Sequence, residues 1–301
     1  DCFELVNEIF KAATGNYQST FGGKQILFSG DFLQIPPVVT PREPLDTPWI
    51  FQSPLWSEAN VHVHEFTEIK RQDDENFALA LNEIRHGRCP EWVHRMFSGR
   101  CNVKVDSKLR PVRFLSTNDE VEKINLMELH SLEGKPKVFD AKIYGKNRWL
   151  EDQIQRDCIA SRQLFLKVGA QVIGLINDSA GRFCNGSMGE VIAFDNGLPV
   201  VQFSKTGDTV VIEPFTWKRG SNSGEIIASF KQLPIKLAYA ITIHKSQGMS
   251  LDCAEIDCKN IFAEGQLYVA LSRVRELKGL YLKNWNKKYI KTNSEAIRFY
   301  Q

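Results

Sequence analysis

Residues 240–248 read Ala-Ile-Thr-Ile-His-Lys-Ser-Gln-Gly, an apolar strand pattern that runs directly into polar and small residues. In an open parallel sheet, ligands bind beyond the carboxyl ends of the strands. Thr242, His244, Lys245 and Ser246 offer hydroxyl and cationic donors at one such end, a combination that suits a phosphodiester backbone. A histidine alone is more often a hydrogen-bonded structural residue, and it is the neighbours of His244 that favour binding.

Strand and helix patterns alternate on both sides of this stretch. Val112–Leu115 reads as a strand upstream, and a helix is predicted to start after Thr117. Downstream, residues 254–256 and 280–282 read as strands that are separated by a helix over residues 265–275. This alternation predicts an α/β fold in which helices flank a parallel sheet.

The first 85 residues extend the same pattern. Apolar residues recur at helical spacing over residues 3–10, and the runs at 25–28 and 61–66 read as strands. A further helix is predicted over residues 75–85. Prolines between residues 36 and 48 exclude a helix there and predict a surface excursion.

The pattern changes between residues 164 and 217, where short apolar runs are separated by turn residues. Asn185-Gly186 and Asn196-Gly197 are such turns, and Asn-Gly favours the positive φ angles of two-residue hairpins. This segment therefore predicts a small antiparallel barrel inserted into the α/β body. The runs are residues 171–176, 189–194, 198–203 and 209–212.

The composition is that of a globular protein, with 43% hydrophobic and 25% charged residues among 301. The 38 basic and 36 acidic side chains leave a net charge of +2. That balance excludes binding to nucleic acid through overall charge and leaves open a local basic groove. The seven cysteines form no CxxC pair, so we predict free thiols and no metal site, and no apolar stretch approaches the roughly 20 residues that span a bilayer.

Residues 30–37, Gly-Asp-Phe-Leu-Gln-Ile-Pro-Pro, follow a predicted strand. Gly30 lets the backbone turn sharply, and Asp31 can stabilise that turn. Gln34 then projects a neutral amide that can orient a water molecule or contact a phosphate. Taken in isolation, the segment is more often a structural strand-to-loop turn.

Two arginines are candidates for phosphate binding. Arg71 precedes the predicted helix at residues 75–85, where an arginine is ordinarily a solvated surface charge. The alternative is that its planar guanidinium binds two phosphate oxygens. Arg273 lies two positions past Leu271 and off the apolar stripe of its predicted helix, so we expect it to reach out from the sheet edge and stabilise a transferring phosphoryl group.

In this order, the four segments resemble the petite-integration-frequency (PIF-type) helicases, the RecD-like branch of superfamily one that moves 5′ to 3′ on single-stranded DNA. Residues 21–28 resemble the segment that leads into helicase motif III, and residues 30–37 resemble motif III itself. Arg71-Gln72 is similar to motif IV, residues 242–248 to motif V and residues 268–275 to motif VI.

The resemblance implies RecA-like folds of the P-loop NTPase type, with ATP in the cleft between two domains. Residues 1–66 would complete the first domain, and residues 67–163 and 231–301 would form the second. Residues 164–230 would be an inserted Src-homology-3-like β-barrel. The similarity of residues 167–172 and 185–187 to the entry and first turn of that insert carries this last assignment.

The resemblance also implies the cofactors, ATP and Mg²⁺. Gln34, Arg71 and Arg273 would surround the γ-phosphate as catalytic residues, and no side chain of this chain is assigned to the metal ion. The positions implied to bind the nucleotide are Gly30, Asp31, Gln34, Gln247, Gly248 and Arg273.

The implied partner is single-stranded DNA, together with forked or structured DNA and no membrane. The DNA contacts would come from Thr242, His244, Lys245 and Ser246. The family further implies an intracellular location, nuclear or mitochondrial in a eukaryote, and roles in DNA repair, recombination and telomere maintenance.

One feature of the family is missing, because no G-x-x-x-x-G-K-[ST] occurs in the chain. The Gly-Lys pairs at Gly23, Gly134 and Gly145 are followed by Gln, Pro and Asn. The chain is therefore interpreted as the carboxyl-terminal part of an ATP-dependent helicase and is expected not to hydrolyse ATP alone. The alternative is a truncated relative that serves as a DNA- or protein-binding module. Its partner surfaces could be marked by Trp49, Trp56, Trp92 and Trp217, although tryptophans are more often partly buried core residues.

Overall fold

A computed structural model describes residues 2–37, 49–66, 68–105, 110–204, 206–221 and 224–301. The proline-rich excursion predicted between residues 36 and 48 lies almost entirely outside these ranges. The helices are α1 (Cys2–Thr14), α2 (Pro54–Glu58), α3 (Glu75–Arg85), α4 (Glu91–Ser98), α5 (Asn118–His130), α6 (Arg148–Asp157), α7 (Gln266–Leu271) and α8 (Ser294–Phe299).

The strands follow the same chain order. They are β1 (Val112–Leu115), β2 (Lys137–Asp140), β3 (Lys142–Gly145), β4 (Gln163–Leu166), β5 (Gln171–Gly174), β6 (Met188–Asp195), β7 (Leu198–Phe203), β8 (Thr209–Val211), β9 (Phe215–Gly220), β10 (Ile226–Gln232), β11 (Ile235–Leu237), β12 (Ala240–Thr242), β13 (Ala254–Asp257) and β14 (Leu280–Lys283).

A four-stranded parallel sheet forms the centre of the fold, in the order β12-β1-β13-β14. Its strands are short and apolar because both faces are covered. Phe77 of α3 and Phe97 of α4 are fully buried in one core with Phe114 of β1 and Leu267 of α7. The mixed α/β architecture predicted from the sequence is confirmed.

Local capping residues set the helix starts that the sequence predicts. The Thr117 hydroxyl accepts a hydrogen bond from the backbone N–H of Glu120 at the start of α5. The Asp74 carboxylate does the same for two N–H groups, those of Asn76 and Phe77, at the start of α3. Both helices therefore begin where a side-chain oxygen satisfies otherwise unpaired donors.

A five-stranded antiparallel sheet, β11-β5-β6-β7-β8, occupies the predicted insert. Asn196 and Gly197 join β6 to β7 with φ angles of 46° and 87°, the geometry expected of an Asn-Gly hairpin. Each of the four apolar runs predicted in this segment coincides with one of its strands over most of its length. The assignment of the sheet as Src-homology-3-like remains a prediction.

Residues 140–163, whose charged and partly helical pattern allowed no further interpretation, contain β3 and α6 and extend the β structure. Strand β2 pairs with β4, and β3 pairs with β10, which also pairs with β9. Strand β11 pairs with β5. Strand pairing thus crosses both predicted boundaries, at residues 164 and 230, and the division into domains remains a prediction.

Two predicted strands are not strands in this structure. Residues 25–28 and 61–66 are extended without a ladder partner among the described residues, and Leu27 and Phe66 are 93% and 87% exposed. An apolar run becomes a strand only when a neighbouring strand satisfies its backbone. The predicted helix over residues 265–275 ends early, at Leu271, because the chain then turns to form a bridge between Val274 and Leu251.

An aromatic cluster packs the loop around Phe32 against the carboxyl-terminal residues of the chain. The Phe32 ring lies 5.0 Å from that of Phe299 and 4.9 Å from that of Phe51, measured between centroids. The backbone N–H of Phe32 also donates to the hydroxyl of Tyr300 at 3.2 Å. Trp49 is only 5% exposed within this cluster, so it serves packing rather than a partner surface.

Candidate functional site

The loop that carries Gln34 is a tight turn stabilised by Asp31. The Asp31 carbonyl accepts the backbone N–H of Gln34 at 3.2 Å, and its carboxylate accepts the N–H of Leu33 at 3.1 Å. The Gln34 amide donates to the same carboxylate at 3.3 Å. Gly30, by contrast, is exposed, has a negative φ and has open space around it, so the structure shows no need for glycine there.

Arg85 at the end of α3 holds this turn from the other side. Its Nη2 lies 3.0 Å from Asp31 Oδ1, and its Nη1 lies 3.2 Å from Glu65 Oε1. Burial alone lowers the pKa of Arg85, but the hydrogen bonds and charges of the two carboxylates raise it overall. The guanidinium also stacks 4.9 Å above the ring of Tyr300. Asp31 is therefore engaged within the chain, and Arg85 is a residue that the sequence reasoning missed.

Arg273 is buried rather than extended from the sheet edge, which corrects the expectation that it reaches outward. It lies just past α7 and is 2% exposed, with Nε donating to the Val269 carbonyl and Nη2 to the Ser272 hydroxyl, both at 2.8 Å. Among the described residues it has no carboxylate partner within ion-pair distance. Burial, and then the charge of Arg71, lower the pKa of Arg273 to about 10, which still leaves it charged at neutral pH.

Tyr268 lies close enough to Asp31, Arg71 and Arg273, three of the residues predicted to surround the nucleotide, to be influenced by their charges. Burial raises the pKa of its hydroxyl, and the charges of Asp31, Arg85, Arg273 and Arg71 all influence that pKa. Arg71 itself is exposed. The structure thus brings both predicted arginines and the Asp31 turn into one electrostatic neighbourhood.

Gln72 secures the backbone on both sides of Arg273. Its buried amide nitrogen donates to the carbonyls of Ser272 and Val274, at 3.1 Å each. Because these two carbonyls flank Arg273, the residue after Arg71 determines where the second arginine lies. No residue spacing could have predicted the contact between Gln72 and Ser272, which are 200 positions apart.

The four predicted DNA-binding residues divide into two groups. Lys245 is exposed and His244 is partly buried, so both are accessible at the end of β12. Ser246 is fully buried, and its hydroxyl donates to the Ile243 carbonyl at 2.6 Å. Thr242 is 5% exposed, and its hydroxyl accepts the N–H of Lys245 at 3.3 Å, which orders the turn.

Gln247 and Gly248 complete that turn and are both exposed. Gly248 has a φ of +79°, a conformation that other residues rarely adopt, with open space around its Cα. Among the described residues no hydrogen bond or ion pair links Gln247 or Gly248 to Arg273 or Gln34, so their contact with nucleotide stays a prediction.

Lys236 of β11 is a second cation near Lys245 that sequence reasoning missed. Burial, and then the charge of Lys245, lower the pKa of Lys236 to about 8. The described residues include no carboxylate within ion-pair distance of it. Its neighbours in β11, Ile235 and Leu237, are buried apolar residues, so the sequence around it reads as an ordinary strand.

Other candidate sites are weaker. A cavity of about 310 Å³ lies at the opposite, amino-terminal edge of the parallel sheet. Its charged residues are engaged in ion pairs, Arg110 and Arg113 with Glu128 and Arg113 also with Glu255. Across the ranges described, no group of three or more His, Cys, Asp or Glu side chains is arranged to hold a metal ion. In those same ranges no helix is long and apolar enough to cross a bilayer.

A family model, curated relatives and solved structures that match this chain belong to one family of helicases. The family model described as "PIF1-like helicase" matches residues 1–107. An ATP-dependent DNA helicase PIF1 from Xenopus laevis is 39% identical over 99% of this chain and 47% of its own length. The chain thus spans about half the length of the curated relatives it matches.

Two solved structures are similar over nearly the whole chain. Pif1 from Bacteroides sp. in complex with ADP-AlF4 superposes with a TM-score of 0.85 and 30% identity, covering 100% of this chain and 71% of that one. Bacteroides Pif1 bound to single-stranded DNA has a TM-score of 0.68 and 30% identity, covering 99% and 71%.

Proposed function

Because this chain belongs to the PIF1-like helicase family, we propose that it forms the nucleotide-sensing and strand-binding part of an ATP-dependent DNA helicase that moves 5′ to 3′ on single-stranded DNA. One observation carries the proposal. Arg273 is a buried cation whose charged neighbour Arg71 has the same sign, and no carboxylate of the described residues balances it. Two neighbouring arginines, Arg71 and Arg273, suit an anion with several oxygens, such as a nucleoside triphosphate.

In this proposal the two arginines stabilise charge on the γ-phosphoryl oxygens, and the Gln34 amide orients the attacking water. Asp31 and Arg85 hold the Gln34 loop, and Gln72 holds the backbone around Arg273. These are positioning roles. ATP would supply the phosphoryl group, and the arginines, being cationic, fit its oxygens.

The residues described do not complete a site for Mg²⁺, which prefers oxygen ligands: among them no group of three or more His, Cys, Asp or Glu side chains is arranged to hold a metal ion, and the one carboxylate of this site, Asp31, is paired with Arg85. With no G-x-x-x-x-G-K-[ST] in its 301 residues, the chain by itself is proposed not to hydrolyse ATP. We therefore propose that hydrolysis requires a longer protein that contains both of the domains between which ATP binds.

The test is DNA-stimulated ATP hydrolysis by a longer protein that includes a P-loop. Arg273→Ala is expected to lower kcat by roughly 10³-fold or more while DNA affinity stays unchanged. Arg273→Lys should recover little, because an ammonium cannot make the paired contacts of a guanidinium. Arg182→Ala, an exposed arginine paired with Asp178, is the matched control. Equal kcat values for the Arg273 and Arg182 variants would contradict the proposal.

We propose single-stranded DNA as the bound strand, with forked or structured DNA as the substrate to be unwound. Lys245 and His244 at the end of β12 would contact its phosphates, the buried Thr242 would order that turn, and Lys236 would add a further positive charge. A Bacteroides relative was solved with single-stranded DNA bound, which supports this choice of partner. Ser246 would act by stabilising the turn.

A second candidate is a DNA- or protein-binding module without hydrolysis, favoured by the absence of a P-loop in this chain. Trp92 and Trp149, 41% and 61% accessible, are the tryptophans exposed enough among the described residues to meet a partner. A P-loop encoded in frame upstream favours the helicase, and its absence favours the module. Nuclear or mitochondrial location and roles in repair, recombination and telomere maintenance stay predictions.

A further inference from the structure

The three-stranded sheet β3-β10-β9 has one buried face and one open face. Directly paired residues of an antiparallel sheet share a face, so Ile143, Phe230 and Trp217 lie in one row. Phe230 is fully buried in the core that also contains Leu150 and Ile154 of α6. The opposite face is therefore turned away from the core.

The open face carries lysines on all three strands. Lys142 of β3 is directly opposite Lys231 of β10, and Lys231 is directly opposite Thr216 of β9. In the next row, Ser229 of β10 is opposite Lys218 of β9. The three lysines are all exposed, and among the described residues none has an ion pair or a side-chain hydrogen bond.

The paired lysines of this face lower the stability of the fold unless a bound anion neutralises their charge. Directly opposite side chains on an antiparallel pair have Cβ atoms about 4.5–5.5 Å apart, and like charges at that distance repel. Lys142 and Lys231 form such a pair, and the six paired positions of this face include no Asp or Glu. A bound polyanion would convert the repulsion into attraction.

The exposed ring of Tyr144 indicates which class of anion this face would bind. It is opposite Ser229 in the same row as Lys218, and its side chain is 53% exposed with no ring contact to another described residue. An exposed aromatic ring flanked by lysines and hydroxyls can stack on a base while the cations contact phosphates. A duplex keeps its bases stacked internally, and an acidic peptide has no base to stack.

We propose that the open face of β3-β10-β9, formed by Lys142, Tyr144, Lys218 and Lys231, binds single-stranded DNA. This surface is distinct from the turn at the end of β12, and it does not depend on ATP hydrolysis. The inference rests on the proposed function for its ligand, single-stranded DNA, and adds a second surface that can fail while the contacts at the end of β12 stand.

The experiment measures binding of the 301-residue chain to a fluorescent 30-nucleotide single strand over a series of salt concentrations. The variant is the triple change Lys142→Gln, Lys218→Gln and Lys231→Gln. Its matched control changes three exposed, unpaired lysines elsewhere, Lys24→Gln, Lys123→Gln and Lys135→Gln.

The open-face variant is expected to bind at least tenfold more weakly than the control, with a salt slope smaller by about 2, since each lost phosphate contact removes about 0.7. Tyr144→Ala should weaken binding severalfold at every salt concentration and leave the slope unchanged. Adding Lys245→Gln should weaken binding by a further, independent factor, because it lies on the other surface.

Equal affinity and slope in the open-face variant and the control would overturn the proposal. A loss confined to blunt duplex DNA, or to polyglutamate, with single-strand binding intact would also overturn it and reassign the face to that partner. Thermal unfolding followed by circular dichroism accompanies each variant. The exposed lysines are expected to leave the midpoint unchanged or slightly raised, since repulsion is removed.

Discussion

Gly265 packs directly against the carbonyl group of Gln34. A Cβ atom on Gly265 would lie 2.5 Å from the Gln34 oxygen, and the glycine has a φ of +68°. This contact joins the loop that presents the Gln34 amide to the start of α7, the helix that leads to Arg273. The position of Gln34 relative to Arg273 therefore depends on a residue with no side chain.

Gly265→Ala is expected to lower the free energy of unfolding by more than the roughly 1–2 kcal/mol that a left-handed conformation costs an alanine, because the new methyl group also displaces the Gln34 loop. Urea unfolding measures the loss. Gly15→Ala is the matched control, since Gly15 has a φ of +69° and nothing within 4 Å of its Cβ position. Equal losses in the two variants would show that the contact with Gln34 is dispensable.

Removing Arg85 should leave the Asp31 carboxylate partly buried without its partner. Arg85→Met is expected to destabilise the chain by about 1–3 kcal/mol, measured by urea unfolding. Arg88→Met removes an exposed ion pair with Glu83 and should cost no more than about 1 kcal/mol. If the two variants unfold at the same urea concentration, the contact between Arg85 and Asp31 does not hold the turn.

Gln72→Leu removes two buried hydrogen bonds and leaves the carbonyls of Ser272 and Val274 unpaired. The expected loss of stability is about 1–3 kcal/mol. In a longer, ATP-hydrolysing protein, kcat should fall while the affinity for single-stranded DNA is kept, because the change displaces Arg273 and spares Lys245. A fall in DNA affinity with normal kcat would contradict this positioning role. Gln163→Leu, on the exposed end of β4, serves as the control.

The lowered pKa of Lys236 predicts how the free energy of unfolding changes with pH. Its pKa is lowered from 10.5 to about 8 by burial and then by Lys245, so between these values the unfolded chain binds more protons than the folded one. Stability therefore rises with pH across this window, and the charged lysine destabilises the fold below pH 8. Lys236→Met should stabilise the chain by about 1–3 kcal/mol at pH 7 and by almost nothing near pH 11.

The measurement is urea unfolding from pH 7 to pH 11 in steps of one unit. Exposed Lys123→Met is the control and should follow the parent chain at every pH. A gain for Lys236→Met that is as large at pH 11 as at pH 7 would mean that the lysine is not charged and buried in the folded state.

Local sequence predicted those elements whose partners are close in the chain. The capping oxygens of Thr117 and Asp74 lie within three residues of the groups they satisfy, and the Asn196-Gly197 turn is set by its own φ angles. The same reasoning failed for residues 25–28 and 61–66. Their apolar patterns resemble strands, but a strand also requires a neighbour that the local sequence does not reveal.

The sequence by itself determined the α/β class, the starts of α3 and α5 and the hypothesis that Arg71 and Arg273 bind phosphate, because each follows from short-range periodicity, capping or motif order. Only the tertiary structure decided that Arg273 is buried, that Gln72 and Arg85 hold the site and that Lys142 faces Lys231. Those relationships join residues 54 to 200 positions apart. Chain folding sets such distances through packing of the whole core, and no local pattern encodes them.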